Sequence, residues 1–192
     1  MLDHLPLPRQ LRQKVDRELQ PGEFIRWIEQ PIPRFFTLES IGAVLFGIPW
    51  TAFALFWMWG AAGFKLPNLS HGLQFQHIFA LFGVPFVLIG LGMLSSPLWV
   101  WQQAKQTVYL ITDNRAILLT GGGSTTIRSY TPEQLGNLFR KERSDGTGDV
   151  IFAVREWKDS DGDRRTEDIG FKGIRNPKNV EALLKQLAQK SQ

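Results

Sequence analysis

The chain has no cysteine among its 192 residues, which excludes disulfides, thiolate metal sites and a cysteine nucleophile. Histidine is nearly as scarce. His4, His71 and His77 are the only three, and none stands near a Ser/Asp pair that would complete a hydrolytic or general-base constellation. A dense basic stripe is also missing. Residues 1–40 hold six Lys/Arg against six Asp/Glu, and residues 105–192 hold fifteen against twelve. The net charge of +4 is therefore spread thinly, and nucleic acid is not expected as a partner. The sharpest absence is local: between residues 41 and 104 the only charged side chain is Lys65.

Two apolar runs fill that region. Residues 41–64 read IGAVLFGIPWTAFALFWMWGAAGF and residues 78–101 read IFALFGVPFVLIGLGMLSSPLWVW. Each exceeds the roughly 20 residues needed to cross a hydrocarbon core of ~30 Å, and neither shows the polar face of an amphipathic core helix. They predict a transmembrane helical hairpin over residues 39–104. The flanks carry Arg26 and Arg34 before it and Lys105 and Arg115 after it. The excess of Lys and Arg there places both termini in the cytoplasm of a multi-pass inner-membrane protein, with the KLPNLSHGLQFQH loop outside. Ala43 with Gly47, and Gly92 with Ser96, are small residues four apart, suited to close helix contact. Neither run contains the ionisable residues that mark ion or proton paths, so the hairpin reads as an anchor.

Residues 1–38 form a cytoplasmic N-terminal segment. Leu7, Leu11, Val15 and Leu19 make an apolar stripe on a basic helix, fitted either to an anionic membrane surface or to the protein's own C-terminal part. Pro21-Gly22 ends it, and FIRWI (residues 24–28) reads as a short strand.

Residues 105–192 read as a small β-rich domain. TVYLITDNRAILL (residues 107–119) has the pattern of a tight hairpin turning at Asp113-Asn114, residues that tolerate positive φ. Its faces are both apolar: Tyr109, Ile111, Ala116 and Leu118 on one, Val108, Leu110, Ile117 and Leu119 on the other. A half-solvated hairpin would alternate apolar with polar, so something must cover the second face. The N-terminal segment around Phe24 and Trp27 is the favoured cover, a second copy the next, and the bilayer surface a third. Further strands follow near residues 125–130, 138–143, 148–157 and 164–171. Gly121 to Gly123 lacks the GK[ST] of a phosphate loop, and DSDGD (residues 159–163) lacks the glycine and glutamate of a calcium loop, so both read as turns. The last element is a helix capped by Asn176 with Pro177 in its first turn, burying Val180, Leu183, Leu184 and Leu187.

PGEFIRWIEQPIPR (residues 21–34), SPLWVW, TVYLITDNRAILL, SYTPEQL (residues 129–135) and DGTGDVIF (residues 145–152), in that order, resemble bacterial membrane-anchored proteins with a pleckstrin-homology (PH)-like domain. The resemblance implies a mainly-β PH-like bent barrel capped by a C-terminal α-helix, following the two-helix transmembrane hairpin. It brings no secure activity, and with no acid–base or nucleophilic constellation in the sequence neither catalysis nor a cofactor is expected. The expected function is a non-catalytic membrane protein presenting that domain at the cytoplasmic face for protein interaction, scaffolding or assembly, with an unidentified protein or itself as partner. Its interface candidates are Val108, Leu110, Ile117, Leu119, Phe24 and Trp27. The alternative is a sensor of anionic lipid, working through Lys105, Arg115, Arg140, Lys141 and Arg143.

Overall fold

A computed structural model describes residues 7–64, 81–121, 124–136 and 138–191. The chain forms two compact units, Met1–Pro33 with Gln102–Gln192, and Arg34–Trp101. In chain order the elements are α1 (Arg9–Glu18), β1 (Ile25–Glu29), α2 (Leu38–Ala61), α3 (Val84–Leu94), α4 (Ser96–Lys105), β2 (Thr107–Thr112), β3 (Ala116–Thr120) and β4 (Thr126–Tyr130), then a 3-10 turn (Pro132–Gln134), β5 (Phe139–Glu142), β6 (Thr147–Lys158), β7 (Arg164–Arg175) and α5 (Pro177–Ala188).

The first unit is built from two antiparallel sheets, ordered β1-β2-β3-β4 and β5-β6-β7. The β2–β3 register pairs Tyr109 with Leu118 and Ile111 with Ala116, so the hairpin's two apolar faces fall where the alternation puts them. One face, with Tyr109, Ile111 and Ala116, shares a core with Phe152 of β6, Phe171 and Ile174 of β7, and Val180, Leu184 and Leu187 of α5. Phe171 is the hub of this core, its ring 5.0 Å from Tyr109, 5.2 Å from Phe152 and 5.3 Å from Trp27. The other face, with Val108, Leu110, Ile117 and Leu119, lies under Leu7, Leu11 and Val15 of the α1 segment. A ten-residue helix is too short to persist alone in water. Burial of its stripe, about 1.5–3 kcal/mol for each large side chain, is what holds it helical.

The turn at Asp113-Asn114 differs from its expected geometry. Phe64 and Asn176 are the non-glycine residues of positive φ among those described. The turn closes instead through the Thr112 hydroxyl, which accepts from the Asn114 and Arg115 N–H groups at 3.2 and 2.9 Å, a local side-chain cap that needs no left-handed residue. Asn176 precedes α5 as expected but does not cap it: its backbone is left-handed, φ 47°, and its side chain makes no capping bond. Proline at 177 disfavours the α region for the residue before it, and the Asn179 N–H is taken at 3.1 Å by the Asn176 backbone carbonyl rather than by its side chain.

The expected fold, a two-helix transmembrane hairpin followed by a PH-like bent barrel, is corrected on both counts. Among the described residues one helix is long and apolar enough to cross a membrane, the stretch Ser40–Ala61 of α2. The second expected span is broken into α3 and α4, bent by 46°. Two features account for the bend. The Ser95 hydroxyl bonds back to the Gly92 carbonyl at 2.8 Å, which bends helices, and Pro97 cannot continue the preceding hydrogen-bond ladder but suits the first turn of a new helix. The close approach of α2 to α3 uses Gly47 and Gly90, where an added Cβ would strike Met93 and Thr51. Gly92, expected in that role, has open space beside it. The sheets, in turn, do not close. At the seam between β1 and β7 the chain following β1 makes a backbone bond, Ile32 N–H to the Gly173 carbonyl at 2.8 Å, and among the described residues no strand ladder joins the two sheets. The outer loop with Lys65, His71 and His77, the first residues of the second run, and His4 lie outside the described residues.

Leu110 is 1% exposed beneath α1, whereas Thr126 is exposed at the start of β4. Leu110→Asp is therefore expected to destabilise the protein by about 3 kcal/mol or more, through an uncompensated buried charge. Thr126→Asp should stay within about 0.5 kcal/mol. Thermal unfolding of the purified full chain checks the difference.

Candidate functional site

Arg115 leaves the hairpin tip and turns back toward the N-terminal segment. Its Nε donates to Glu23 Oε1 at 2.9 Å and its Nη2 to Glu23 Oε2 at 3.0 Å, a two-pronged grip on one carboxylate. Nη2 also donates to the Glu18 carbonyl at 2.8 Å, and Nη1 to Ser129 Oγ at 3.0 Å. The Glu23 side chain is fully buried and Arg115 is 14% exposed. The Thr112 hydroxyl at 2.7 Å and the Gln20 N–H at 2.8 Å complete the carboxylate's shell. Burial pushes the Glu23 carboxyl up. The hydrogen bonds from Arg115, Gln20 and Thr112, with the Arg115 charge, outweigh it and hold the group below the ordinary carboxylate value. Arg115 is raised, foremost by its bond to Glu23. One residue on, Asp113 and Phe24 exchange two bonds: the Phe24 N–H donates to the Asp113 carboxylate at 2.9 Å, and the Asp113 N–H to the Phe24 carbonyl at 3.1 Å.

The other lipid-facing candidates are also engaged within the chain. Arg140 holds Glu181 of α5 and Glu142. Lys141 bonds Asp168 at 2.9 Å, and Arg143 bonds Asp149 at 2.9 Å. Glu181 lies below its ordinary value because Lys185, one helical turn on, and then Arg140 both bond it. The carbonyl of Lys105 accepts from Gln30 Nε2 at 2.8 Å. Of these carboxylates, the i,i+4 spacing of Glu181 and Lys185 was the signal the sequence offered; Glu142, Asp149 and Asp168, and Glu23 at the Arg115 site, were not picked out as partners of these bases.

The interface candidates divide in three. Val108, Leu110, Ile117 and Leu119 are covered by α1 and present no surface. Trp27 packs on Phe171, in the core of the opposite face. Phe24 alone is open, 66% exposed. The cover of the second face is thus the N-terminal segment, but through the Leu7–Leu11–Val15 stripe rather than through Phe24 and Trp27.

Sequence reasoning gave no site to the outer halves of β6 and β7. From Val154 to Lys158 on β6 and from Arg164 to Thr166 on β7 the strands are exposed, with Val154 and Trp157 each 43% open. The turn between them is tied by the Asp159 carboxylate, which accepts from the Asp161 and Asp163 N–H groups and from Arg165 Nε at 3.0 Å. That carboxylate is a turn former. Among the described residues no group of three or more His, Asp or Glu is placed to hold a metal ion. Two clefts remain. One, of about 90 Å³, lies between the β2–β3 turn and the end of α5 and is lined by Arg26, Asp113, Leu183 and Lys190 among others. The other, of about 200 Å³, is apolar and lined by Trp50, Phe53, Trp57 and Phe86 of the helical unit among others. Comparison of the chain with protein-family models, with curated proteins and with solved structures finds no match in any of the three.

Glu23 titrates below its unfolded value of about 4.3. Its pairing with Arg115 therefore contributes fully above that pH and is lost as pH falls through the lower native value. Glu23→Gln should lower stability at pH 7 yet flatten the acid limb of the stability–pH curve. Arg115→Ala, which strands a buried carboxylate, should cost about 3 kcal/mol or more. Arg143→Ala, at an exposed pair, should cost under about 1 kcal/mol. Thermal melts of the full chain between pH 3 and 8 read all three.

Proposed function

We infer that the protein is a non-catalytic integral membrane protein that anchors through its helical unit and presents its two-sheet unit for protein interaction, scaffolding or assembly. The observation that carries this reading is α2. Over Ser40–Ala61 it is apolar on every side and only 17% of its best window is buried, with Leu45, Phe46, Phe53, Leu55 and Phe56 all more than half open. A core helix of a water-soluble protein buries its apolar face, and an apolar surface of this extent is stable only in lipid or against a partner. The Lys/Arg-rich flanks favour the cytoplasmic side for the two-sheet unit. A catalytic role has little to support it, because the carboxylates of the two-sheet unit that stand beside bases are held in ion pairs and turns. The lipid-sensor alternative is weakened by the same pairing: Arg115, Arg140, Lys141 and Arg143 each have a carboxylate partner within the chain.

The full chain should resist alkaline carbonate extraction and leave the membrane only in detergent. Phe53→Arg, a charge at the middle of α2 costing roughly 2.5–3.5 kcal/mol, should lower the inserted fraction. Replacing Arg140, Lys141 and Arg143 together by Ala should leave both fractionation and cross-linking to protein partners unchanged. Release of the wild type by carbonate would sink the anchor. Loss of membrane retention on removing the three basic residues would restore the lipid sensor.

A further inference from the structure

Strand β7 is the outer strand of its sheet, which runs β5-β6-β7. Toward its C-terminal end its surroundings are occupied: Ile32 bonds the Gly173 carbonyl, and the Arg175 N–H donates to Glu29 at 3.1 Å. From Arg164 to Asp168 no backbone bond other than the ladder to β6 is present among the described residues. Such an edge is a template for another strand unless its side chains prevent pairing.

Here the side chains favour it. The residues read Arg164-Arg165-Thr166-Glu167-Asp168, so the charge changes sign about Thr166. In an antiparallel pair, residues equidistant from the centre stand opposite one another. Two copies of this segment centred on Thr166 set Arg164 against Asp168 and Arg165 against Glu167, twice each, with no like charges opposed. Within one chain Arg164 faces Lys158 across the ladder, an unfavourable like-charge pair, and makes no ion pair among the described residues. Asp168 bonds Lys141 and Arg165 bonds Asp159, yet their side chains stay 38% and 62% exposed, so both can take a second partner. The other edges do not share this property. Centred self-pairing would set Glu156 against itself on the part of β6 beyond β5, Arg128 against itself on β4, and Arg140 against Lys141 on β5.

We propose that β7 pairs antiparallel with β7 of a second copy of this chain, on a two-fold axis through Thr166, fusing two three-stranded sheets into one of six. A shared patch that meets itself is the form a two-fold interface takes. The pairing rests on the interaction reading above and supplies its partner.

The absence of cysteine makes the test direct. Thr166→Cys introduces the sole thiol, and opposed residues of an antiparallel pair stand about 4.5–5.5 Å apart at Cα, inside the range a disulfide spans. Mild oxidation of the full chain in detergent should link this variant into a dimer, and Thr126→Cys, exposed at the edge strand β4, should stay monomeric on the same gel. Arg164→Glu with Arg165→Glu, and separately Glu167→Arg with Asp168→Arg, should each weaken self-association by about tenfold or more. An equimolar mixture of the two should recover it as a heterodimer. A folded Thr166→Cys variant that does not link, equal linking through Thr126→Cys, or dimers indifferent to the charge swaps would each overturn the proposal, as would a monomer that captures a different protein. Carbonate extraction of the same samples separates this from the anchor: a membrane-retained monomer loses only the edge pairing, and an extractable linked dimer loses only the anchor.

Discussion

The two-sheet unit depends on a return of the chain, and the Glu23–Arg115 pair is where that return is fixed. Glu23 lies in the N-terminal segment and Arg115 on the first hairpin after the helical insertion, 92 residues apart. A fully buried carboxylate is costly to desolvate, and this one is tolerated because guanidinium, hydroxyl and backbone donors fill its lone pairs. The same few ångströms hold the Asp113–Phe24 exchange, so the entry to β1 and the tip of the β2–β3 hairpin are locked as one piece. The β1–β2 ladder and the seat of α1 on Val108, Leu110, Ile117 and Leu119 follow from that registration.

This arrangement explains why a hairpin apolar on both faces is stable in this chain. Its inner face meets α5 and the second sheet, and its outer face meets α1. The helical unit is a different kind of object. Its long helix has no polar face, and its contacts are made by glycines and aromatic rings. One unit ties several of its charges into ion pairs and buries a continuous apolar core. The other leaves its apolar residues open, which suits lipid as the surrounding medium. That division is the physical basis for reading the chain as an anchor carrying an interaction module.

Much of the local structure was legible in the sequence. Alternation placed β2, β3 and β6, the Leu/Val stripes marked α1 and α5, and the turn at Asp113-Asn114 fell in register. These features depend on neighbours two to four residues apart. What escaped depends on distant partners. The carboxylates that engage Arg115, Arg140 and Lys141 lie 92, 41 and 27 residues away, and no spacing rule reaches that far. The α1 stripe was visible, but which surface it would cover was not. The break at Ser95 had a signal in Pro97, but a proline does not fix by itself how far a span bends, and the bent barrel, expected from the element order and from the resemblance, is not borne out by the strand pairing.

The central claim is that residues 1–33 are part of the two-sheet unit and not a separate tail. Hydrogen exchange of the full chain in detergent, compared with a chain lacking residues 1–23, tests it most directly. Loss of α1 and Glu23 should expose the amides of β2 and β3 to fast exchange while α2 keeps its protection. Unchanged protection of Val108 to Thr112 and Ala116 to Leu119 in the truncated chain would contradict it.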